Sequence, residues 1–307
     1  MIFRLVLVLW MCGCSAVKTH HKVLERRAIR AGFIKSTLTA GPHSVNHWVG
    51  GEGPTVVLIH GFGGDGLVTW WPQARLLAKT HRVIVPDLLW FGGSDSDATP
   101  GLESQVEAVG ALVEHHVPTG ELVDVVGISY GGFVALRYGT IAPLRQGRLV
   151  IMDSPGPLFS AADQAAMLER FGVEQPQDIF VPDDPDDIRV LIQLAYHKAP
   201  PLPRPLLKDM QRHVFSQHRV EQVQLLDDIE AGRERYAGLA PAEYSESLVI
   251  WGEHDRVFPV AIGRQLSELL GAEFVVIEGA AHAPHIERPR QVNAMLVDFL
   301  RGESTGG

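Results

Sequence analysis

The sequence predicts an α/β fold on a mainly parallel sheet with helices on both faces, and two patterns carry that expectation. From Phe33 onward, short β-rich runs alternate with longer helical patterns, the order that successive βα units produce. The later β-rich runs are continuously apolar, as strands buried on both faces read, whereas a half-exposed strand alternates. The runs at 34–38, 45–49, 55–60, 82–86, 122–126, 149–153, 248–251 and 274–277 give eight candidate strands, the first two a candidate antiparallel hairpin. Helical patterns fill the gaps at 72–79, 103–115, 130–141, 260–270 and 290–300, with Pro72 suited to a helix's first turn.

After the sixth strand the rhythm stops until Leu248, and nine of the twenty prolines fall between Pro155 and Pro205. The segments 161–171, 186–197, 206–215 and 219–230 read as amphipathic helices, so a helical lid inserted over the sheet is expected. The alternative is an independently folded helical domain. The resulting division is an export-type segment at 1–14, a solvated tether at 15–32, a core domain at 33–156 and 244–302, and a helical cap or lid at 157–243.

The chain has 307 residues, 46% hydrophobic and 21% charged, enough for one large core with an insertion. Its formal net charge of -9, with no long basic stretch, argues against a nucleic-acid partner, whose phosphates would need clustered lysine and arginine. Small molecules are the expected ligands. The two cysteines, Cys12 and Cys14, sit near the start, so no disulfide framework staples the fold. Arg4, an apolar run at 5–11 and Cys12-Gly-Cys14-Ser are too short to span a bilayer and shaped like a secretion signal. The stretch resembles a bacterial lipoprotein signal. That resemblance implies acylation of Cys14, export to the cell envelope and association with a membrane through the anchor. Failing this, the chain is soluble in the periplasm or cytoplasm. Lys22, Arg26, Arg27 and Arg30 could lie against anionic lipid beside such an anchor, but are expected to be solvated.

Ser129 lies in Gly127-Ile-Ser-Tyr-Gly-Gly132, between an apolar strand and a helical pattern. A serine at so sharp a corner needs glycine neighbours, because a Cβ two positions away would collide where helix and strand converge. A serine hydroxyl is a poor nucleophile at neutral pH. It needs an imidazole within hydrogen-bond reach and a carboxylate to orient that imidazole. Asp255 follows the strand at 248–251, and His282 follows the strand at 274–277. Parallel strands deliver their carboxyl ends to one edge, so all three side chains are expected there.

The order serine, acid, histidine resembles the α/β-hydrolase superfamily, and the resemblance runs from about Phe33 to Leu300. His60-Gly-Phe-Gly-Gly64 is similar to that family's oxyanion loop, Phe91-Gly-Gly-Ser-Asp95 to its fourth-strand turn, and the stretch 279–289 to its histidine loop. Trp251-Gly-Glu-His-Asp255 and the elbow are most similar to the lidded esterase and lipase-like branch, although Tyr130 stands where many relatives carry another residue. The resemblance implies an α/β-hydrolase fold and a serine hydrolase acting on small-molecule or lipid esters without cofactor or metal. It assigns Ser129, Asp255 and His282 as the catalytic residues, with the backbone N–H groups of Phe62 and Tyr130 as the oxyanion hole. A serine-triad C–C bond hydrolase and a non-catalytic binding protein of the same fold are the alternatives.

Other residues compete for these roles. His285 could replace His282 as base, and Asp153 could replace Asp255 as acid. A structural role is expected for both, as for His60 and Asp87, while Glu253 and His254 are expected to be exposed. Gly61-Phe-Gly63-Gly-Asp-Gly66 is a literal dinucleotide-binding pattern, with Asp87 ending the next strand. It is disfavoured because 67–71 separate it from a helix expected near Pro72, whereas a phosphate-binding loop opens directly into its helix.

Overall fold

The computed structural model describes residues 15–142, 145–237 and 244–302. Its centre is a sheet of nine strands: β1 (Ile34–Ala40), β2 (His43–Gly50), β3 (Thr55–Ile59), β4 (Arg82–Pro86), the short β5 (Asp95–Ser96), β6 (Val123–Ile128), β7 (Gln146–Met152), β8 (Glu246–Gly252) and β9 (Glu273–Ile277). Eight run in the order β1-β2-β4-β3-β6-β7-β8-β9, and β5 pairs with β2. The hairpin β1–β2 is antiparallel, β2 pairs antiparallel with β4, and every pairing from β4 to β9 is parallel. This is the expected α/β-hydrolase fold.

The uninterrupted apolar strands follow from burial on two sides. Val57, Ile59, Val125, Leu149, Ile151, Val249 and Trp251 face one core, which is closed by α3 (Leu102–His116) and α4 (Tyr130–Ile141). Their neighbours Val56, Leu58, Val126, Val150, Met152, Leu248 and Ile250 face the other, closed by α1 (Ala16–Arg30), α2 (Gly66–Leu77) and α13 (Pro289–Arg301). Successive side chains of one strand thus enter opposite cores.

Two expectations are corrected. Residues 15–32 are not a tether: α1 packs on the body through Leu24 and Ala28, one helical turn apart and both buried. Ser15 caps it by accepting from Lys18 N–H at 3.0 Å, and Asp209 accepts from both Ser15 Oγ and Val17 N–H at 2.9 Å. Lys22, Arg26, Arg27 and Arg30 are exposed, as expected. Secondly, α2 starts at Gly66, not near Pro72, which lies inside the helix. The start is set by Asp65, whose carboxylate accepts from Val68 N–H at 2.8 Å. At the seventh position of the helix the proline forgoes the i→i−4 bond to Val68 O, yet the helix continues past it to Leu77.

Between β7 and β8 the chain forms a 3₁₀ turn (Gly156–Leu158), α5 (Ala161–Phe171), α6 (Gln177–Phe180), α7 (Pro185–Ala195), α8 (Arg204–Met210), a π-helical turn (Gln211–Phe215), α9 (Arg219–Ala231) and α10 (Arg233–Ala237). Capping boxes of Ser160 with Asp163 and Asp184 with Asp187 start α5 and α7. Met167, Ile179, Leu194, Leu225 and Tyr236 of this insertion join the core shared with the sheet. It is therefore continuous with the body rather than a separately folded unit. After β8 come α11 (Val260–Leu270), then β9, the single turn α12 (Pro284–Glu287) and α13.

Candidate active site

Ser129 occupies the corner between β6 and α4 with φ 52°, a backbone conformation that L residues seldom adopt. Its N–H donates to Met152 O of the adjacent β7 at 3.0 Å, and its carbonyl accepts from Gly132 N–H at 2.9 Å. Glycine is required at 127 by close approach: a Cβ there would lie 2.8 Å from the carbonyl carbon of Gly131 and 2.9 Å from Gly132 Cα.

The loops after β8 and β9 come to the same edge. His282 Nε2 lies 3.0 Å from Ser129 Oγ, and His282 Nδ1 lies 2.9 Å from Asp255 Oδ2. Asp255 is fixed independently, because its Oδ1 accepts from Val257 N–H at 2.8 Å and Phe258 N–H at 3.1 Å. The Asp255 side chain is fully shielded while that of His282 keeps 12% exposure. An acid locked in place therefore orients an imidazole that solvent and substrate can reach. With Nδ1–H donating to the carboxylate, Nε2 is left free to take the hydroxyl proton.

The loop after β3 passes directly over the serine, since a Cβ on Gly61 would lie 2.9 Å from Ser129 Cβ and 3.4 Å from its Oγ. His60 holds that loop. Its Nε2 accepts from Leu88 N–H at 2.9 Å, so its Nδ1 bears the proton and donates to Gly61 O at 2.7 Å. Complete burial pushes the His60 pKa down and keeps the ring neutral. Tyr130 N–H stands at the amino end of α4, and neither it nor Phe62 N–H donates to another described backbone group. Phe62 packs edge-on against Phe91 and Tyr130, each at 5.1 Å between ring centroids, and Phe258 packs against His282 at 5.5 Å.

The competing residues lie elsewhere or are engaged. His285 is buried against α2, 5.0 Å from the Trp70 ring and with its carbonyl accepting from Gln73 Nε2 at 2.9 Å, and neither ring nitrogen is hydrogen-bonded. Asp153 is fully buried at the end of β7 and accepts from Gly252 N–H at 2.8 Å. Burial, then the charge of Asp255, push the Asp153 carboxyl well above the usual range and favour its neutral form. Asp87 ties a turn, accepting from Gly66 N–H, Gly93 N–H and Asn46 Nδ2 at 2.9, 2.9 and 2.7 Å. Glu253 and His254 are exposed, but His254 stacks on His197 of the insertion at 4.0 Å.

Sequence reasoning missed Glu287, whose two carboxylate oxygens accept from His197 N–H at 2.9 Å and Ala281 N–H at 2.7 Å. It links the insertion to the residue before His282, and no motif flags so ordinary a glutamate. It also missed Asp65, which is joined to His21 of α1 at 3.2 Å. Among the described residues, the acidic and imidazole side chains close enough to share a cation are Asp153, Asp255 and His282. A metal there would displace the Asp255–His282 bond.

Contrary to expectation, α2 does open directly from the glycine-rich stretch, as a dinucleotide-binding loop would. Its amino end is already occupied: Asp87 accepts from Gly66 N–H and Asp65 from Val68 N–H. Two carboxylates would repel a pyrophosphate there.

This chain belongs to the alpha/beta hydrolase fold family, whose pattern matches residues 54–289. It is 30% identical over 270 residues to 2-hydroxymuconate semialdehyde hydrolase of Pseudomonas sp. strain CF600, covering 81% of this chain and 88% of that protein. It is 32% identical over 262 residues to the dihydrolipoyllysine-residue acetyltransferase component of an acetoin-cleaving system of Pseudomonas putida. That match covers 82% of this chain but only 65% of that protein's length. Among solved structures, a membrane phospholipase A described as a bacterial virulence factor superposes with a TM-score of 0.75 at 27% identity over 99% of both chains.

Proposed function

We propose that the protein is a serine hydrolase that cleaves carboxylic esters through an acyl-enzyme on Ser129. The reading rests on one observation: the Ser129–His282–Asp255 relay, with spacings of 3.0 and 2.9 Å. His282 takes the serine proton as Oγ attacks the ester carbonyl. The imidazolium, steadied by Asp255, then protonates the departing alcohol, and water repeats the attack on the acyl-enzyme. The tetrahedral oxyanion sits against the N–H groups of Phe62 and Tyr130, where the dipole of α4 favours negative charge; each such donor is worth about 10² to 10³ in rate.

C–C bond hydrolysis is the second reading, supported by the likeness to 2-hydroxymuconate semialdehyde hydrolase. Ester cleavage is favoured by the ring contacts of Phe62, Phe91, Tyr130 and Phe258 beside the serine and histidine. These suit an uncharged acyl chain better than an acidic ring-fission product. The insertion serves as the lid in this reading. Acylation at Cys14, with residence in the cell envelope, belongs to the proposal as well; Cys14 lies outside the described residues. Among the described residues no helix is long and apolar enough to cross a membrane.

The test is turnover of p-nitrophenyl esters of increasing acyl length beside a vinylogous diketone. Ester hydrolysis that disappears in Ser129→Ala supports the proposal. Diketone cleavage with negligible ester turnover overturns it in favour of the second reading. Intact mass of the mature protein tests the anchor, and an unmodified Cys14 rules it out.

A further inference from the structure

The insertion carries a cavity of about 300 Å³, none of whose lining residues belongs to the triad. Its wall is a row of cations. Arg204, Lys208 and Arg212 recur every four residues along α8 and the π-helical turn, and Arg219 of α9 adds a fourth cation to the lining. Asp183 is the one carboxylate among the lining residues. It pairs with Arg219, while Arg204 pairs with Asp186 at 3.1 Å. Lys208 and Arg212 have no side-chain hydrogen bond or ion pair among the described residues. Like charges four apart on a helix repel one another and weaken it. This chain, whose net charge is -9, nonetheless concentrates four cations around one hollow. The π turn, an irregularity common at functional sites, lies where Arg212 joins the row.

The position of the cavity ties it to the site already described. Its buried lining residue Phe215 reaches to within 3.8 Å of where a Cβ on Gly63 would sit, in the loop that covers Ser129. Asp209, next in sequence to Lys208, caps α1.

We propose that this cavity binds a phosphate group, as carried by a glycerophosphate lipid headgroup, and so holds a phosphorylated amphiphile above the oxyanion loop. Two unpartnered cations and two partly neutralised ones supply charge-assisted donors for the phosphate oxygens, and the arginines can grip two oxygens at once. Assigning the headgroup to a substrate rests on the ester-hydrolase reading, whereas anion binding as such does not.

The test compares the full wild-type chain with K208Q/R212Q and with Ser129→Ala. Calorimetric titration uses inorganic phosphate and glycerol 3-phosphate at low salt. Co-sedimentation uses phosphatidylcholine vesicles with and without phosphatidylglycerol. The expected result is saturable binding of glycerol 3-phosphate and enrichment on anionic vesicles, both weakened about tenfold or more in K208Q/R212Q and unchanged in Ser129→Ala. Hydrolysis of an uncharged p-nitrophenyl ester should be the same in K208Q/R212Q as in wild type. Its thermal midpoint should hold or rise, because a repulsive row has been relieved. No saturable binding by wild type, or equal binding by K208Q/R212Q, overturns the site. Binding of free phosphate without vesicle enrichment overturns the headgroup assignment. Loss of ester turnover in Ser129→Ala tests the hydrolase reading separately.

Discussion

Gly127→Ala joins the fold to the chemistry in one methyl group. The added Cβ would stand 2.8 Å from the Gly131 carbonyl carbon and 2.9 Å from Gly132 Cα, both main-chain atoms of the first turn of α4. Comfortable carbon contacts begin near 3.5 Å, so relief takes a backbone shift of about 1 Å. No side chain can swing aside to absorb it. Strand β6 is the less free to move, because Gly127 pairs with Ile59 and Ile151 in neighbouring strands. The start of α4 must therefore give way, carrying Ser129 with it and stretching the 3.0 Å approach of its Oγ to His282 Nε2. Overpacking of this kind costs about 1–3 kcal/mol in stability. A misplacement near 1 Å costs about 10²-fold in turnover. Urea denaturation and kcat for a p-nitrophenyl ester measure the two effects on the same sample. Full turnover with an unshifted urea midpoint would refute the steric account of the elbow.

Three further outcomes are expected. Asp153→Asn keeps a neutral side chain beside Asp255 and should stay within about tenfold of wild-type kcat, whereas Asp255→Asn should lose about 10⁴-fold; a reversed order in ester assays would make Asp153 the acid. Burial pushes His285 down to about 3 from its usual 6.5, so the native state excludes a proton that the unfolded chain binds. This contribution is intact above pH 6.5 and is lost as pH falls toward 3, on the order of 4–5 kcal/mol in all. Urea midpoints of His285→Leu should fall less steeply between pH 7 and 5, the residual slope including His116, which burial lowers to about 4; an unchanged slope would refute it. Leu24→Ala should destabilise the whole protein by about 2–4 kcal/mol in urea, since α1 packs on the body, and a midpoint like wild type would mean that the helix is detached.

The sheet and the relay were legible because their causes are local and ordered. Strands buried on two faces read as unbroken apolar runs, and a serine between elbow glycines announces its corner. The acid and base follow strands whose carboxyl ends must share an edge. What escaped the sequence depends on partners distant along the chain. Leu24 and Ala28 fall within a stretch crowded with cations, so the buried face of α1 becomes visible only against the body, with Asp209 waiting to cap it. The early start of α2 was hidden by Pro72, a stronger signal than the Asp65 cap that decides it. Glu287 is an ordinary helix residue until His197 and Ala281 meet it in space. The cation row of 204–212 is spaced as on any solvated helix face, and only the hollow in front of it gives the pattern a use.

The central claim is that His282 and Asp255 make Ser129 the reactive hydroxyl of this protein. Labelling with a fluorophosphonate, followed by peptide mass mapping, tests it without knowledge of the natural substrate. The account predicts a single adduct on the peptide bearing Ser129, absent from Ser129→Ala and formed at least about 10³-fold more slowly in His282→Ala. An adduct on another residue, or undiminished labelling in His282→Ala, would contradict it.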